Sequence, residues 1–335
     1  MSAATAEHVQ STMKALQFVD RDKPKVVELP IPDIGDDEVL VAARSVGVCH
    51  SDIELLEGRY IIPFAYPQIP GHEWSGEIAR VGRNVTRFVP GDRVVGECVI
   101  GDDHFGFSIS GAAAEYFVAR PEWLHRLPDG LSFTMGGLVE PFSVAYYALV
   151  RAGGVDASNT IVVLGAGPVG LAVTAAAAAM GARTIVVEPT PKRREAAMAL
   201  HAHQAVHPDE IDDVIDNMGD GQGADVVVEA SGNPNVMARA LELVAFKGRV
   251  AYIGIDVGRE APAKLGLIQS KELSITGSIG SPNIWPETLR FLANTKLDLT
   301  PLVTQRYGLD DAVEALYAAY KHPEDSIKAH IEMPS

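Results

Sequence analysis

The spacing of apolar positions changes character along this chain. Up to about residue 150 the apolar runs are short, as in VLVAARSVGV (39–48) and DRVVGECVI (92–100), and each reads as a strand. Pro and Gly punctuate between them, as in YPQIPGHE and VPGD. Near residue 158 strand-like runs begin to alternate with helical ones. TIVVLGAG, RTIVVEP, ADVVVEASG and GRVAYIGI read as strands; PVGLAVTAAAAAMGA, KRREAAMALHA and NVMARALELVAF read as helices between them. That alternation predicts a parallel sheet wound with helices. ELSITGSI (272–279) adds a strand, and WPETLRFLANTKL and LDDAVEALYAAYKH add two helices near the end. The alanines of TAAAAAMGA read as packing against the sheet. The predicted fold class is α/β. A disordered tail over 1–12 precedes a β-rich domain over 13–151. A doubly wound domain over 152–278 follows, and a segment over 279–335 returns to the first domain.

Composition narrows the partners more than the fold. The 335 residues are long enough for two domains. A formal charge of −16 argues against nucleic acid or an anionic membrane surface, since both need a basic face. A small molecule is the expected partner. Two cysteines rule out a disulfide framework and fit a reducing, cytoplasmic setting. MSAATAEHVQST has neither a basic start nor an apolar core, so no signal peptide is expected. The most apolar run, LAVTAAAAAMGA, is too short to span a bilayer.

Two motifs carry chemistry. Gly165, Gly167 and Gly170 form G-x-G-x-x-G between a predicted strand and helix, with Pro168 and Val169 inside it. Gly165 suits the tight turn, Gly167 lets backbone approach a pyrophosphate, and Gly170 lets the helix lie close on the sheet. The helix N-terminus adds positive potential. Glu188 ends the next strand, where it can accept hydrogen bonds from both adenosine ribose hydroxyls. A 2′-phosphate would meet its charge, so NAD is expected over NADP. Lys192, Arg193 and Arg194 lie nearby and weigh the other way; Arg193 is a candidate cofactor contact.

The second motif opens at Cys49, in GVCHSD, and continues with His72 and Glu73 in PGHEWSG; Glu140 sits later in LVEPFSVAYYAL. These are zinc-ligand types, and a borderline-soft cation tolerates sulfur, nitrogen and oxygen together. Singly, each has an ordinary reading: a buried thiol, a satisfied core histidine, a surface acid before a proline. Their joint occurrence ahead of a dinucleotide fold favours a metal.

GVCHSD, PGHEWSGEIARVG, PGDRV, VEPFSVAYYAL, VVLGAGPVGL and the domain order resemble the medium-chain zinc-dependent dehydrogenases, nearest the sorbitol, threonine and cyclitol dehydrogenase branch. The resemblance runs from about Met13 to the C-terminus. It implies a GroES-like catalytic domain joined to a Rossmann domain, and one catalytic zinc per chain. The implied ligands are Cys49 and His72, with Glu73 or Glu140 as the carboxylate, directly or through bound water. It further implies that Asp52 orients the ligating histidine, that Ser51 takes the proton from the alcohol, and that His50 contacts the pyrophosphate. Glu54 stands where a proton-passing histidine is common. A homodimer or homotetramer formed through ELSITGSI is also implied.

Three departures limit the carry-over. Where most of the family holds four cysteines around a structural zinc, this chain has GECVIGDDHFGFSISGAAAEYF with Cys98 alone, so that zinc is expected to be absent and Cys98 a buried thiol. Gly280 and Ser281 stand where animal sorbitol dehydrogenases carry an Arg-Tyr pair. Leu55 and Leu56 stand where aromatic or polar residues are common. Sorbitol itself is therefore not the expected substrate. The expected activity is NAD-linked, zinc-dependent oxidation of a secondary alcohol of polyol, cyclitol or amino-alcohol type. The alternatives are a zinc-free quinone or enone reductase of the same fold, or a non-catalytic NAD-binding protein.

Overall fold

The computed structural model describes residues 11–217, 223–321 and 326–334. Residues 1–10 of the expected tail lie outside them, as does His322 of the last expected helix. Thr12, placed in the tail by its sequence, instead opens a strand, because Thr12 pairs with Pro30 across a hairpin.

The first part runs β1 (Thr12–Asp20), β2 (Lys23–Pro30), β3 (Val39–Val48), α1 (His50–Leu56), β4 (Glu73–Val81), β5 (Arg93–Gly96), β6 (Val99–Ile100), β7 (Asp103–His104), β8 (Tyr116–Ala119), β9 (Leu124–Arg126), α2 (Phe133–Gly137) and α3 (Val139–Arg151). The parallel part runs β10 (Thr160–Leu164), α4 (Pro168–Ala179), β11 (Arg183–Val187), α5 (Pro191–Ala199), β12 (Gln204–Val206), α6 (Ile211–Asp216), β13 (Ala224–Glu229), α7 (Pro234–Leu243), β14 (Val244–Tyr252), α8 (Gly266–Ser270) and β15 (Ser274–Gly277). Then come α9 (Trp285–Thr295), β16 (Val303–Tyr307), α10 (Ala312–Lys321) and β17 (Lys328–Glu332).

Among the described residues two sheets dominate. The parallel one has the order β12-β11-β10-β13-β14-β15, with every strand pair parallel. Its central strands are buried Val, Ile and Leu, as expected for a sheet covered on both faces. The other sheet has the order β16-β17-β3-β4-β5-β9, and β8 also pairs with β3. The length of β3 allows this: Val39–Ala42 pair with β8, while Ser45–Val48 pair with β17. The last strand of the chain is thus built into the sheet that carries Cys49.

Two boundaries differ from the periodicity. DRVVGECVI is broken between β5 and β6, because Glu97 turns aside: its N–H donates to Trp123 O at 3.0 Å and its carboxylate meets His125 Nε2 at 2.7 Å. NVMARALELVAF stops being helical at Leu243, because Val244 pairs with Ala224 and begins β14.

Candidate active site

Antiparallel pairing sets Gly47 of β3 opposite Glu73 of β4. Cys49 therefore leaves one strand where His72 and Glu73 enter the other, and α1 and its following loop span the gap between them. The ligand atoms of Cys49, His72 and Glu73 all lie within 4.8 Å of one another. Among the described residues no other group of three His, Cys, Asp or Glu side chains meets that geometry. One thiol, one imidazole and one carboxylate at this spacing fit a borderline-soft cation such as zinc.

Asp52 ties the local structure to the site. Cys49 is the N-cap of α1, and Asp52 Oδ2 accepts the Cys49 N–H at 2.9 Å, which closes a capping box. Its Oδ1 lies 3.5 Å from His72 Nδ1. One carboxylate thus starts the helix and faces Nδ1 of the imidazole, which leaves Nε2 as the nitrogen for a metal. Burial works against a charged His72, but Asp52 and then Cys49 outweigh it and hold its pKa well above the ordinary range. A metal taking Nε2 would displace that proton.

Glu73 has a partner that the sequence reading missed. Lys328 Nζ lies 2.6 Å from Oε1 and 2.5 Å from Oε2, and both side chains are at most 3% exposed. The register that pairs Ala329 with Val48 brings Lys328 here. Gly47 makes room: a Cβ there would stand 2.2 Å from Glu73 Oε2 and 3.3 Å from Lys328 Cε. Burial opposes the charge on Lys328, but Glu73 and Cys49 outweigh it and keep the ammonium above its usual range. In the sequence Lys328 is only one of three polar positions in the alternation IKAHIEM, with nothing to mark its partner.

Glu140 lies in the first turn of α3 and is buried. Burial pushes its carboxyl up to about 7, with His72 and Lys328 pulling down and Glu73 pushing up. Its carboxylate has no hydrogen-bond partner among the described residues. Glu140 thus lies in the field of the ligand group without belonging to it.

The remaining predicted residues fall as follows. Ser51 and Glu54 are half-buried on α1 and His50 is exposed at its start. Glu54 Oε1 lies 3.6 Å from Arg59 Nη1, and no hydrogen bond joins it to Ser51. Leu55 and Leu56 are fully buried core residues. Cys98 is half-buried rather than buried as a residue, because it flanks the short β6–β7 hairpin. Its thiol is nonetheless enclosed, 3.7 Å from Phe105 O, and burial pushes it up to about 12. Gly280 adopts a left-handed φ of 62°. Ser281 is buried, with its hydroxyl 2.6 Å from Ser143 Oγ and accepting from Trp285 Nε1 at 3.2 Å.

The glycine loop lies between β10 and α4. Gly165 takes φ 97°, which favours glycine. A Cβ on Gly170 would stand 2.0 Å from Gly165 O, so helix and turn touch there. Gly167 is the N-cap of α4, Pro168 follows at its first position, and Val169 is half-buried. Glu188 is buried; Oε2 accepts the Ala166 N–H at 2.8 Å and Oε1 the Thr190 N–H at 2.9 Å. Arg194 Nη1 donates to Glu188 O and Pro189 O, both at 2.7 Å, and Arg193 Nη2 donates to Ser326 O at 3.3 Å. Cofactor-loop and metal-ligand residues are thus both present, on different sheets.

A zinc-binding dehydrogenase model matches residues 168–294, and an alcohol dehydrogenase GroES-like domain model matches residues 35–129. The sorbitol dehydrogenase of Bacillus subtilis (strain 168) is 34% identical over 348 residues, covering 96% of this chain and 98% of that one. The chain belongs to the zinc-dependent medium-chain dehydrogenases, in their sorbitol dehydrogenase-like branch. Among solved structures, the 2R,3R-butanediol dehydrogenase of B. subtilis superposes with TM-score 0.88 at 28% identity, covering 96% of this chain and 100% of that one. A zinc-binding dehydrogenase candidate from Sinorhizobium meliloti 1021, solved bound to NADP, superposes with TM-score 0.87 at 25% identity, with the same coverage. This medium-chain dehydrogenase is an enzyme that moves hydride between an alcohol and a nicotinamide cofactor, with zinc. The fold joins a GroES-like domain to a Rossmann domain, and the zinc-free and non-catalytic alternatives fall away. Among the described residues no helix is long and apolar enough to cross a membrane.

Proposed function

We propose that this enzyme oxidises a secondary alcohol of polyol, cyclitol or amino-alcohol type to the ketone, reversibly, with NAD as its preferred cofactor. The observation that carries this is the Cys49–His72–Glu73 group within 4.8 Å, in a chain that also carries the Gly165–Gly170 loop. Cys49, His72 and Glu73 would hold the zinc, with Asp52 orienting the imidazole and Lys328 sharing the charge of Glu73. Glu140, buried in the field of the same group, would be the alternative carboxylate for the metal, directly or through bound water. When bound, zinc acts as a Lewis acid on the alcohol oxygen and lowers its pKa. Ser51 takes the alcohol proton, and Glu54 is the candidate to pass it on toward solvent. Binding residues hold carbinol carbon and nicotinamide in line, which supplies most of the orientation.

Gly165, Gly167 and the amides at Pro168–Gly170 would cradle the pyrophosphate, with His50 and Arg193 at its edges. Glu188 favours NAD because each of its oxygens keeps a lone pair for a ribose hydroxyl after accepting an amide. Its charge opposes a 2′-phosphate; the NADP-bound relative marks the contrary outcome.

A homodimer through β15 is part of the same reading, with a homotetramer built from it. Among the described residues β15 is the edge of its sheet, with Ile275 in it and Ile279 just beyond it 40% and 59% exposed. An unpaired apolar edge invites an isologous strand pairing. The setting is cytoplasmic, from the two unpaired cysteines.

The test combines three measurements on one preparation. Metal analysis should give close to one zinc per chain, lost in Cys49→Ala. An alcohol panel of polyols, cyclitols, amino alcohols and diols should reduce NAD with higher kcat/KM than NADP. Light scattering should give a dimer or tetramer. Two tightly held zincs, preference for NADP, or a monomer would each overturn the corresponding part.

A further inference from the structure

Tyr60 stands beside the ligand group without belonging to it. Its ring stacks on Phe107, with centroids 4.4 Å apart and planes at 14°. Phe107 packs in turn against the His72 ring at 4.6 Å and is fully buried. Two successive ring contacts therefore fix where the phenol sits relative to the imidazole. Burial raises the Tyr60 pKa, and the groups whose charges reach it are His72, Cys98, Cys49 and Glu140. The Tyr60 ring thus lies one aromatic ring away from the ligand imidazole, and its phenol stays a neutral hydroxyl at ordinary pH.

That hydroxyl has no hydrogen-bond partner among the described residues, although Tyr60 is half-buried. The ring's neighbour is Phe107, and beyond it the His72 imidazole. Ser281, which with Gly280 stands where animal sorbitol dehydrogenases carry an Arg-Tyr pair, has its hydroxyl committed to Ser143 and Trp285. Gly280 offers no side chain. A phenol that both donates and accepts, held rigidly beside a metal-ligand group, wants a polar partner when water is expelled.

We infer that Tyr60 is a specificity residue: its hydroxyl binds a second hydroxyl of the substrate, one not on the reacting carbon, and so selects diols and polyols over simple alcohols. This rests on the alcohol-oxidising reading of the Cys49–His72 site. A monohydric alcohol of the same size fills the same space and leaves the phenol unpaired, which is how a polar site rejects an analogue lacking the group it reads.

Two matched pairs test this: 2,3-butanediol with 2-butanol, and cyclohexane-1,2-diol with cyclohexanol. Each is assayed with the zinc-loaded wild-type enzyme and Tyr60→Phe, which keeps the stacking ring. kcat/KM is measured with NAD, and binding to the enzyme–NADH complex by calorimetry, which needs no turnover. In at least one pair the wild type should prefer the diol. Tyr60→Phe should lower both kcat/KM and affinity for that diol about tenfold, mainly through KM. It should leave the monohydric partner and the zinc content unchanged. Absence of a Tyr60-dependent preference in both pairs, or equal loss for diol and mono-alcohol, overturns the assignment. If a diol binds in a Tyr60-dependent way but no alcohol is oxidised, the reaction proposed above fails while the role of Tyr60 stands.

Discussion

Glu188 and Glu73 are both buried carboxylates at the edge of a site, and they find partners by different means. Glu188 accepts two backbone amides, from Ala166 in the neighbouring turn and from Thr190 two residues on. Glu229, at the end of β13 in the same sheet, does likewise with Ser231 and Gly232. Glu73 instead meets the ammonium of Lys328, 255 residues away. The parallel sheet settles its acids with turns of its own making. The GroES-like part settles one by folding the end of the chain back under it. Amide partners are dipoles that come with the turn; an ammonium is a full charge that must itself be buried, and either charge alone is costly there. The buried acids of the cofactor side are thus settled within their own sheet and turns, whereas Glu73 on the metal side depends on β17.

Ser51 gives the largest effect. If its hydroxyl takes the alcohol proton, Ser51→Ala should lower kcat by roughly a hundred- to ten-thousand-fold while zinc content and NAD affinity hold. Ser51→Thr keeps a hydroxyl on the same carbon and should retain much of the rate. An alanine variant that keeps its zinc and turns over near the wild-type rate would make Ser51 a helix residue only. The metal side would then need another proton acceptor.

Lys328 tests the dependence on β17 directly. Lys328→Met leaves Glu73 buried without its countercharge, and breaking such a pair costs about 3–5 kcal/mol. The loss should be largest in metal-stripped protein and partly recovered on adding zinc, since the ion supplies positive charge to the same carboxylate. Denaturant midpoints with and without zinc measure both. Equal destabilisation in the two states would mean that Glu73 and the metal do not share charge.

His330, next but one on β17, sharpens the point through pH. It is fully buried, with Nδ1 2.8 Å from Ser45 Oγ. Burial, then Lys328 and Arg306, depresses its pKa from 6.5 to about 3. The unfolded chain takes up a proton below pH 6.5, while the folded one resists until about 3, so stability falls as pH drops through that window. The contribution above the window is on the order of a few kcal/mol. His330→Gln should flatten the dependence of the denaturant midpoint on pH across it, relative to wild type. An unchanged slope would place the acid sensitivity elsewhere.

The same contrast explains what was legible in the sequence. The glycine loop, Glu188 and the strand–helix alternation are local, so turn chemistry and periodicity disclosed them. Cys49, His72 and Glu73 gained meaning from residue type and resemblance, because the β3–β4 pairing that joins them is not written in any short window. Lys328 was invisible: its partner is set by register across two strands distant in sequence. Tyr60 carried no signal in the sequence, since only ring stacking on Phe107 brings it near the His72 ring. Leu55 and Leu56, which stand where aromatic or polar residues are common in the family, proved to be core, because α1 turns them into the apolar cluster.

Ser281 gives the smallest effect and lies where the two regions meet. Its hydroxyl joins α3 to the start of α9 across 138 residues. Ser143 donates to Glu140 O at 2.6 Å, so Ser281 must donate to Ser143 and accept from Trp285 Nε1. Each hydroxyl hydrogen is thereby used once and each buried donor has an acceptor. Ser281→Ala removes the acceptor for the Trp285 N–H and one bond to Ser143, and orphaning a buried donor costs about 1–3 kcal/mol. A substrate-contacting Ser281 would show instead as a raised KM for the alcohol with stability unchanged. The expected result is a lower melting temperature, unchanged KM for alcohol and NAD, and a small change in kcat at most, since Glu140 loses only support for its backbone carbonyl. Thermal unfolding and steady-state kinetics on the same protein separate the two. A KM effect without a stability effect would return Ser281 to the substrate site and would show that the joint between the regions is also a reading surface.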